Sequence, residues 1–215
     1  KAIDLALRMK SGAHRGSISV FQNRFTNFVT LFGTGNTRGA DGELNPVDGD
    51  NDGVADGSGE EISNEFQYRA VPARFRGIEA DGRFRLLSRG STLDLLLKAG
   101  IVNAVDTRTG RSLPRIPQRQ LGVGLDYRRD RLGAQLDVTR YSGQGKVAAN
   151  ELPTDGYTWV NAGLSYRLPV RGGRLDGFVQ GINLLNEEAR NHTSFLKDRA
   201  PMGRRSVIVG VRGQL

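Results

Sequence analysis

The sequence has no cysteine, two histidines, one tryptophan and seven prolines, and aromatic residues make up 7% of its 215 positions. Without cysteine there is no disulfide framework, no thiolate zinc site and no cysteine nucleophile. Long apolar runs are missing too: Leu95, Leu96 and Leu97 are about the densest stretch, far short of the ~18 residues of a membrane-spanning helix. A helical membrane protein is therefore excluded. The hydrophobic share is only 37%, while 29 residues are glycine, about twice its usual ~7%, which disfavours a large helical core. The chain opens at Lys1 with neither an initiator methionine nor a basic-then-apolar leader, so a secreted product is expected to be mature or cut from something longer.

What is abundant is positive charge, unevenly placed. The formal net charge is +8, yet Ala40 to Tyr68 contains Asp41, Glu43, Asp48, Asp50, Asp52, Asp56, Glu60, Glu61 and Glu65 and no Lys or Arg. The remainder is strongly basic, and most of its bases are arginines scattered along the chain without forming a tract. Arginine binds carboxylates and phosphates through its planar fork, so anionic sugars, lipopolysaccharide or a carboxylate ligand serve as well as nucleic acid, and no nucleic-acid partner is required.

Period-two alternation is the dominant pattern. Ile3, Leu5, Leu7 and Met9 alternate with Asp4, Ala6, Arg8 and Lys10. The same rhythm returns in Leu93 to Ile101, Leu121 to Tyr127, Leu132 to Val138 and Val160 to Tyr166. Such segments are strands with one apolar and one wet face. Weaker examples near 15–25, 66–85, 174–184 and 204–215 bring the total to nine strands, with no convincing helix. Connections near 11–14, 87–90, 129–131 and 169–173 are short and turn-like, whereas those at 26–65, 103–118, 143–156 and 185–203 are long and polar. Strict alternation of short and long links belongs to an antiparallel transmembrane β-barrel, with short periplasmic turns and longer extracellular loops. Tyr127 and Tyr166 then fall near periplasmic strand ends, and Tyr141, Tyr157 and Trp159 near extracellular ends, as two aromatic girdles would. On the wet face Asp94, Lys98, Asp126, Arg128, Asp137 and Arg167 are expected to look into the lumen. Single-chain bacterial barrels have even strand numbers, so nine strands are expected to be part of a larger wall.

One local pattern points to a cation. Asp48, Asp50, Asp52 and Asp56, with glycines between them, place hard oxygens on a tight loop as calcium requires, so calcium is a candidate ligand of loop 41–61. The match to an EF-hand loop is partial, because Gly59 stands at the twelfth position and Glu60 comes one place late. A solvated acidic loop is the alternative. No enzyme constellation is present: Gly33-Thr34-Gly35 is followed by Arg38 where a dinucleotide fingerprint needs glycine, and there is no Gly-x-Ser-x-Gly elbow.

Four segments carry a family resemblance. They are Ala73-Arg74-Phe75-Arg76-Gly77-Ile78-Glu79-Ala80, Leu113-Pro114-Arg115-Ile116-Pro117 leading into Leu121-Gly122-Val123, Ile182-Asn183-Leu184-Leu185-Asn186-Glu187, and Pro201-Met202-Gly203-Arg204. In this order they resemble the barrel motifs of TonB-dependent outer-membrane receptors, and the stretch from Glu187 to Asp198 is similar to a subgroup that includes zinc-uptake receptors. The resemblance implies that residues 1–215 are the C-terminal portion of a 22-stranded barrel, all-β and antiparallel, in the bacterial outer membrane. It further implies a transporter, not an enzyme. The implied partners are an N-terminal plug absent from this sequence, the remaining strands, the TonB complex reached through the missing N-terminal part, and outer-membrane lipid and lipopolysaccharide. The implied cargo is a small metal-containing ligand, zinc or an iron chelate. Only His14 and His192 offer imidazole; His14 falls in a periplasmic turn, so His192, with Glu187, Glu188 and Asp198 nearby, is the candidate zinc or ligand contact. The last strand has Gly210 at the expected glycine of the assembly signal but ends in Leu215, with Gly213 at a usually bulky place. The alternative function is a passive outer-membrane barrel or a soluble calcium-binding β-domain.

Overall fold

The computed structural model describes residues 1–39, 42–45, 63–169 and 173–214. The aspartates of the calcium expectation, Asp48, Asp50, Asp52 and Asp56, lie outside the described residues. All elements are strands, and no helix occurs among the described residues. They are β1 (Ala2–Ser11), β2 (His14–Arg38), β3 (Ser63–Leu87), β4 (Thr92–Asp106), β5 (Gln120–Arg129), β6 (Leu132–Tyr141), β7 (Tyr157–Leu168), β8 (Arg174–Ile182) and β9 (Ser206–Gln214). They form one nine-stranded antiparallel sheet in strict chain order, β1 through β9. No pairing of β1 with β9 closes it.

Every strand follows from the alternation because a β-strand sends successive side chains to opposite faces. Across the sheet the register keeps like with like. Leu95, Leu125, Leu136 and Ala162 are successive cross-strand partners, as are Leu97, Val123, Val138 and Val160. This apolar face is bare: Leu5 and Val209 are each 74% exposed. A soluble β-domain would bury such a face, whereas a barrel wall turns it to lipid. The tight turns use the chemistry that short hairpins demand. Gly12 (φ 57) and Asp130 (φ 50) each open a link that closes directly on the next strand, with Ser11 paired to His14 and Arg129 to Leu132.

Two expectations are corrected. Residues 26–38 and 63–65 are not loop: β2 and β3 are 25 residues each and pair well past the ~10 residues that cross a bilayer. Register shifts between Phe25 and Phe28 and between Gly33 and Thr37 interrupt the apolar rhythm there, so Gly33 and Gly35 sit in a strand that alternation alone does not reveal. The second correction concerns the aromatics. Tyr127 and Tyr166 share the apolar face, but Tyr141 pairs with Tyr157 and Trp159 with Thr139, all on the polar face. Tyr141 and Tyr157 stack there at 4.7 Å, and Tyr157 is 5% exposed, so these rings pack inward instead of forming an outer girdle.

The buried core is small and sits on the polar face near the long loops. Val71, Ala73, Ala104, Leu113 and Ile116 pack with Phe28, Phe32, Phe75 and Val102. Leu113 and Ile116 come from the loop between β4 and β5, so this cluster fastens that loop to the strands beneath it.

Candidate functional site

Three long links, 107–119, 142–156 and 183–205, emerge at the same end of the sheet and tie into one cap. Its centre is His192, 1% exposed. The Nε2 atom lies 3.2 Å from Glu151 Oε1, and Nδ1 lies 2.9 Å from Thr154 Oγ1. The tautomer with a proton on Nε2 satisfies both contacts, since Nε2–H then donates to the carboxylate and Nδ1 accepts from the hydroxyl. Glu151 also accepts from the backbone N–H of Arg115 at 2.9 Å and of Ala148 at 3.0 Å. Burial pushes the Glu151 carboxyl up, but hydrogen bonds from His192 and from the Ala148 and Arg115 amides outweigh it and hold it below the usual glutamate range.

Further bonds join the same links. Gln118 Nε2 donates to the carbonyls of Ser142 and Asp155 at 3.1 Å each, and its Oε1 faces the His192 N–H at 3.5 Å. Lys197 Nζ donates to the Leu152 carbonyl. The Arg115 guanidinium covers the Phe195 ring, 2.9 Å from its centroid, and Arg115 itself has φ 58. Buried Asn183 (φ 52) holds the base of the last link: Nδ2 donates to the carbonyls of Glu187 at 2.9 Å and Gly203 at 3.1 Å, while Oδ1 accepts from the Glu187 N–H at 3.0 Å.

The grouping expected around His192 is not assembled. Glu188 is drawn to Arg190 at 2.9 Å and Arg204 at 2.7 Å, whose charges keep its carboxyl low. Asp198 stands by Lys197 at 3.8 Å, and Glu187 engages Asn183 through its backbone. Among the described residues no set of three or more His, Cys, Asp or Glu groups is placed to hold a metal ion. His192 thus contacts Glu151 and Thr154, which lie about 40 positions earlier in another loop, and nothing local in sequence links them. Asn183 stands in the Ile182-to-Glu187 segment, but its part as a loop clamp depends on contacts with Glu187 and Gly203 that no sequence pattern marks.

On the polar face, the register brings Asp94, Lys98, Asp126, Arg128, Asp137 and Arg167 to one side of the sheet. Asp94 pairs with Arg83 at 3.2 Å and with Arg85, Asp126 with Arg83 at 3.4 Å and Arg128 at 3.1 Å, and Arg167 with Asp176 at 3.4 Å. Lys98 and Asp137 lie over glycines: a Cβ at Gly122 would strike the Lys98 chain, and one at Gly124 would come within 2.8 Å of Asp137 Oδ1. Glycine opposite a long polar side chain lets that chain lie flat on the wall. Above, Glu65 accepts from Thr34 at 2.7 Å, from Asn36 at 3.2 Å and from Arg38 at 2.6 Å, which lowers its pKa to about 2 and locks the β2–β3 projection.

An antiparallel wall with one lipid-suited face, one polar face lined by ion pairs, and loops knotted at one end is the wall of a transmembrane β-barrel. The family described as TonB dependent receptor-like, beta-barrel matches residues 1–184, and the chain belongs to that family. Members have an N-terminal plug, interact with TonB and are bacterial outer-membrane proteins. Among solved structures the chain is similar to the copper transporter OprC at 18% identity and a TM-score of 0.71, with 98% of this chain and 30% of that one covered. It is also similar to the siderophore receptor PirA from Acinetobacter baumannii at 14% identity and a TM-score of 0.62, covering 98% and 31%. A mutant of the ferric enterobactin receptor PfeA from Pseudomonas aeruginosa matches at 16% identity and a TM-score of 0.61, covering 98% and 30%. The chain spans about a third of the length of these structures.

Proposed function

We propose that this chain is the C-terminal wall of an outer-membrane receptor that imports a scarce metal or metal chelate with energy relayed through TonB. The observation that carries the proposal is the family match over residues 1–184, on a sheet whose bare apolar face needs lipid. The cargo named for the similar proteins, copper for one and siderophores for the other two, supports a metal or metal chelate as the class. Zinc, implied by the 187–198 resemblance, and iron chelates are the two finer readings. The remaining strands and the plug belong to the rest of the receptor.

The cap fits this role as a rigid rim. Ligand-binding loops work best when their backbone is fixed beforehand, and the His192–Glu151–Thr154 cluster fixes three of them. The test is uptake by cells carrying or lacking the full-length receptor, with labelled zinc, copper and ferric siderophore, with and without a protonophore. Receptor-dependent, protonophore-sensitive accumulation of one of these is expected. Accumulation that persists when the proton gradient is removed would instead identify a passive barrel.

A further inference from the structure

The buried ring of Tyr157 ends in a hydroxyl with almost nothing to bond. On the polar face the ring stacks on Tyr141 at 4.7 Å and meets Trp159 edge-on at 6.1 Å. Its O–H donates to Met202 Sδ, 3.9 Å away, and makes no other hydrogen bond among the described residues. A thioether is a weak acceptor, so this buried donor is close to unsatisfied, and a stronger acceptor at the sulfur would relieve it.

Met202 is held against the ring by its backbone. Its N–H donates to the carbonyl of buried Ala189 at 2.8 Å, and the carbonyl of the adjoining Gly203 accepts from Asn183 Nδ2 at 3.1 Å. The residue is nevertheless 38% exposed, so small solutes reach it from outside the cap. The chain's other methionine, Met9, lies on the apolar face of β1 among Leu5 and Leu7, and no hydroxyl approaches its sulfur among the described residues.

We propose that Met202 is a site of reversible oxidation, where a peroxide converts the thioether to a sulfoxide whose oxygen accepts from the Tyr157 hydroxyl and fastens the 183–205 link to β7. A sulfur lone pair attacks one peroxide oxygen and the O–O bond breaks. The sulfur is oxidised by two electrons, and the proton on the transferred oxygen passes to the departing hydroxide, which leaves as water. Rotation about the Cγ–Sδ bond then turns the new oxygen toward the ring, replacing the 3.9 Å sulfur contact by an ordinary O–H···O bond of ~2.7 Å. Sulfoxide formation commonly disrupts packed sites, but here a waiting donor makes it tighten one. Neither the cargo nor the energy source enters this chemistry.

The test treats full-length receptor with hydrogen peroxide, follows Met202 by peptide mass spectrometry and reads hydrogen exchange in residues 183–205. Met202 should convert at peroxide concentrations that oxidise a methionine peptide, and exchange should slow by about fivefold, the net worth of one hydrogen bond. Methionine sulfoxide reductase with a thiol should restore the original exchange. In Tyr157→Phe, which keeps the ring and lacks the donor, Met202 should oxidise with no slowing, and Met202→Leu should be indifferent to peroxide. A Met202 that resists peroxide overturns the proposal, as does exchange that stays unchanged or quickens on oxidation. Slowing that survives reduction, or that persists in either variant, overturns it as well. Heat-modifiable migration on a gel reports whether each variant folds. If Tyr157→Phe does not, Met202→Gln decides, since its amide oxygen offers Tyr157 an acceptor without any oxidant: slowed exchange supports the switch and unaltered exchange overturns it.

Discussion

His192 shows how a residue's chemistry depends on what reaches it. As a loop histidine in sequence it invites a metal, yet folded it is 1% exposed with both ring nitrogens engaged. Replacing it by alanine leaves the Glu151 carboxylate and the Thr154 hydroxyl buried with a partner missing, at a cost of about 1–3 kcal/mol. His192→Ala in the full-length receptor should therefore speed tryptic cleavage of the 142–156 loop at Lys146; unchanged cleavage would show that the cluster does not hold the cap. Glu151 also sets a pH dependence. Its pKa is lower in the folded cap than in the unfolded chain, so it contributes stability that is fully present above the usual glutamate value of about 4.3 and is lost as pH falls through the folded value. Hydrogen exchange in the three loops, corrected for intrinsic rates, should be flat from pH 8 to 5 and rise below about 4. In Glu151→Gln that acid limb should be absent; an identical limb in both proteins would assign it to another group.

At the scale of strands, the alternation was sufficient to read nine elements and which residues share a face, because period two is imposed by the backbone itself. It failed where the ladder slips. The shifts between Phe25 and Phe28 and between Gly33 and Thr37 scramble the parity of β2, and a projection above the bilayer has no lipid to demand apolar residues. The inward turn of Tyr141 follows from parity as well, since Leu136 and Val138 already occupy the other side of β6. Contacts between loops left no trace in the sequence, because no periodicity couples Gln118, Glu151 and His192. Face assignment is testable. Leu136→Arg should destabilise the barrel by about 2–4 kcal/mol if it lies near the midplane, and Gln135→Arg, one position away on the polar side, much less; comparable losses in a urea refolding series would reverse the faces. Glycine placement gives a sharper test. Phe178 lies across from Gly210, where a Cβ would come within 2.5 Å of its ring, and Phe21 covers Gly77 in the same way at 2.6 Å. Gly210→Leu should cost about 1–3 kcal/mol by overpacking and reduce the heat-modifiable fraction. Adding Phe178→Ala should recover part of it, and no recovery would mean that the collision is not the cause.

For the whole molecule the decisive fact is that β1 and β9 are edges. Each presents a row of backbone groups with no partner in this sheet, beside a stripe of side chains that water will not tolerate: Leu5 and Leu7 on β1, Val209 and Val211 on β9. Inside a bilayer an open edge leaves N–H and C=O groups unsatisfied at several kcal/mol each, so a wall of this kind persists only when further strands close it. The polar face points the same way, because its ion pairs, such as Arg83 with Asp94 and Asp126, need a lumen to face. Residues 1–215 expressed alone should therefore not yield a heat-modifiable monomer in detergent or in vesicles, but aggregate through the β1 and β9 edges. Supplying the other strands of the receptor as a separate chain should rescue the heat-modifiable form if register at the two new seams is all that is missing. A monomeric, protease-resistant barrel from residues 1–215 alone would require β1 to pair with β9, and would make this chain a small closed barrel instead of one wall of a larger receptor.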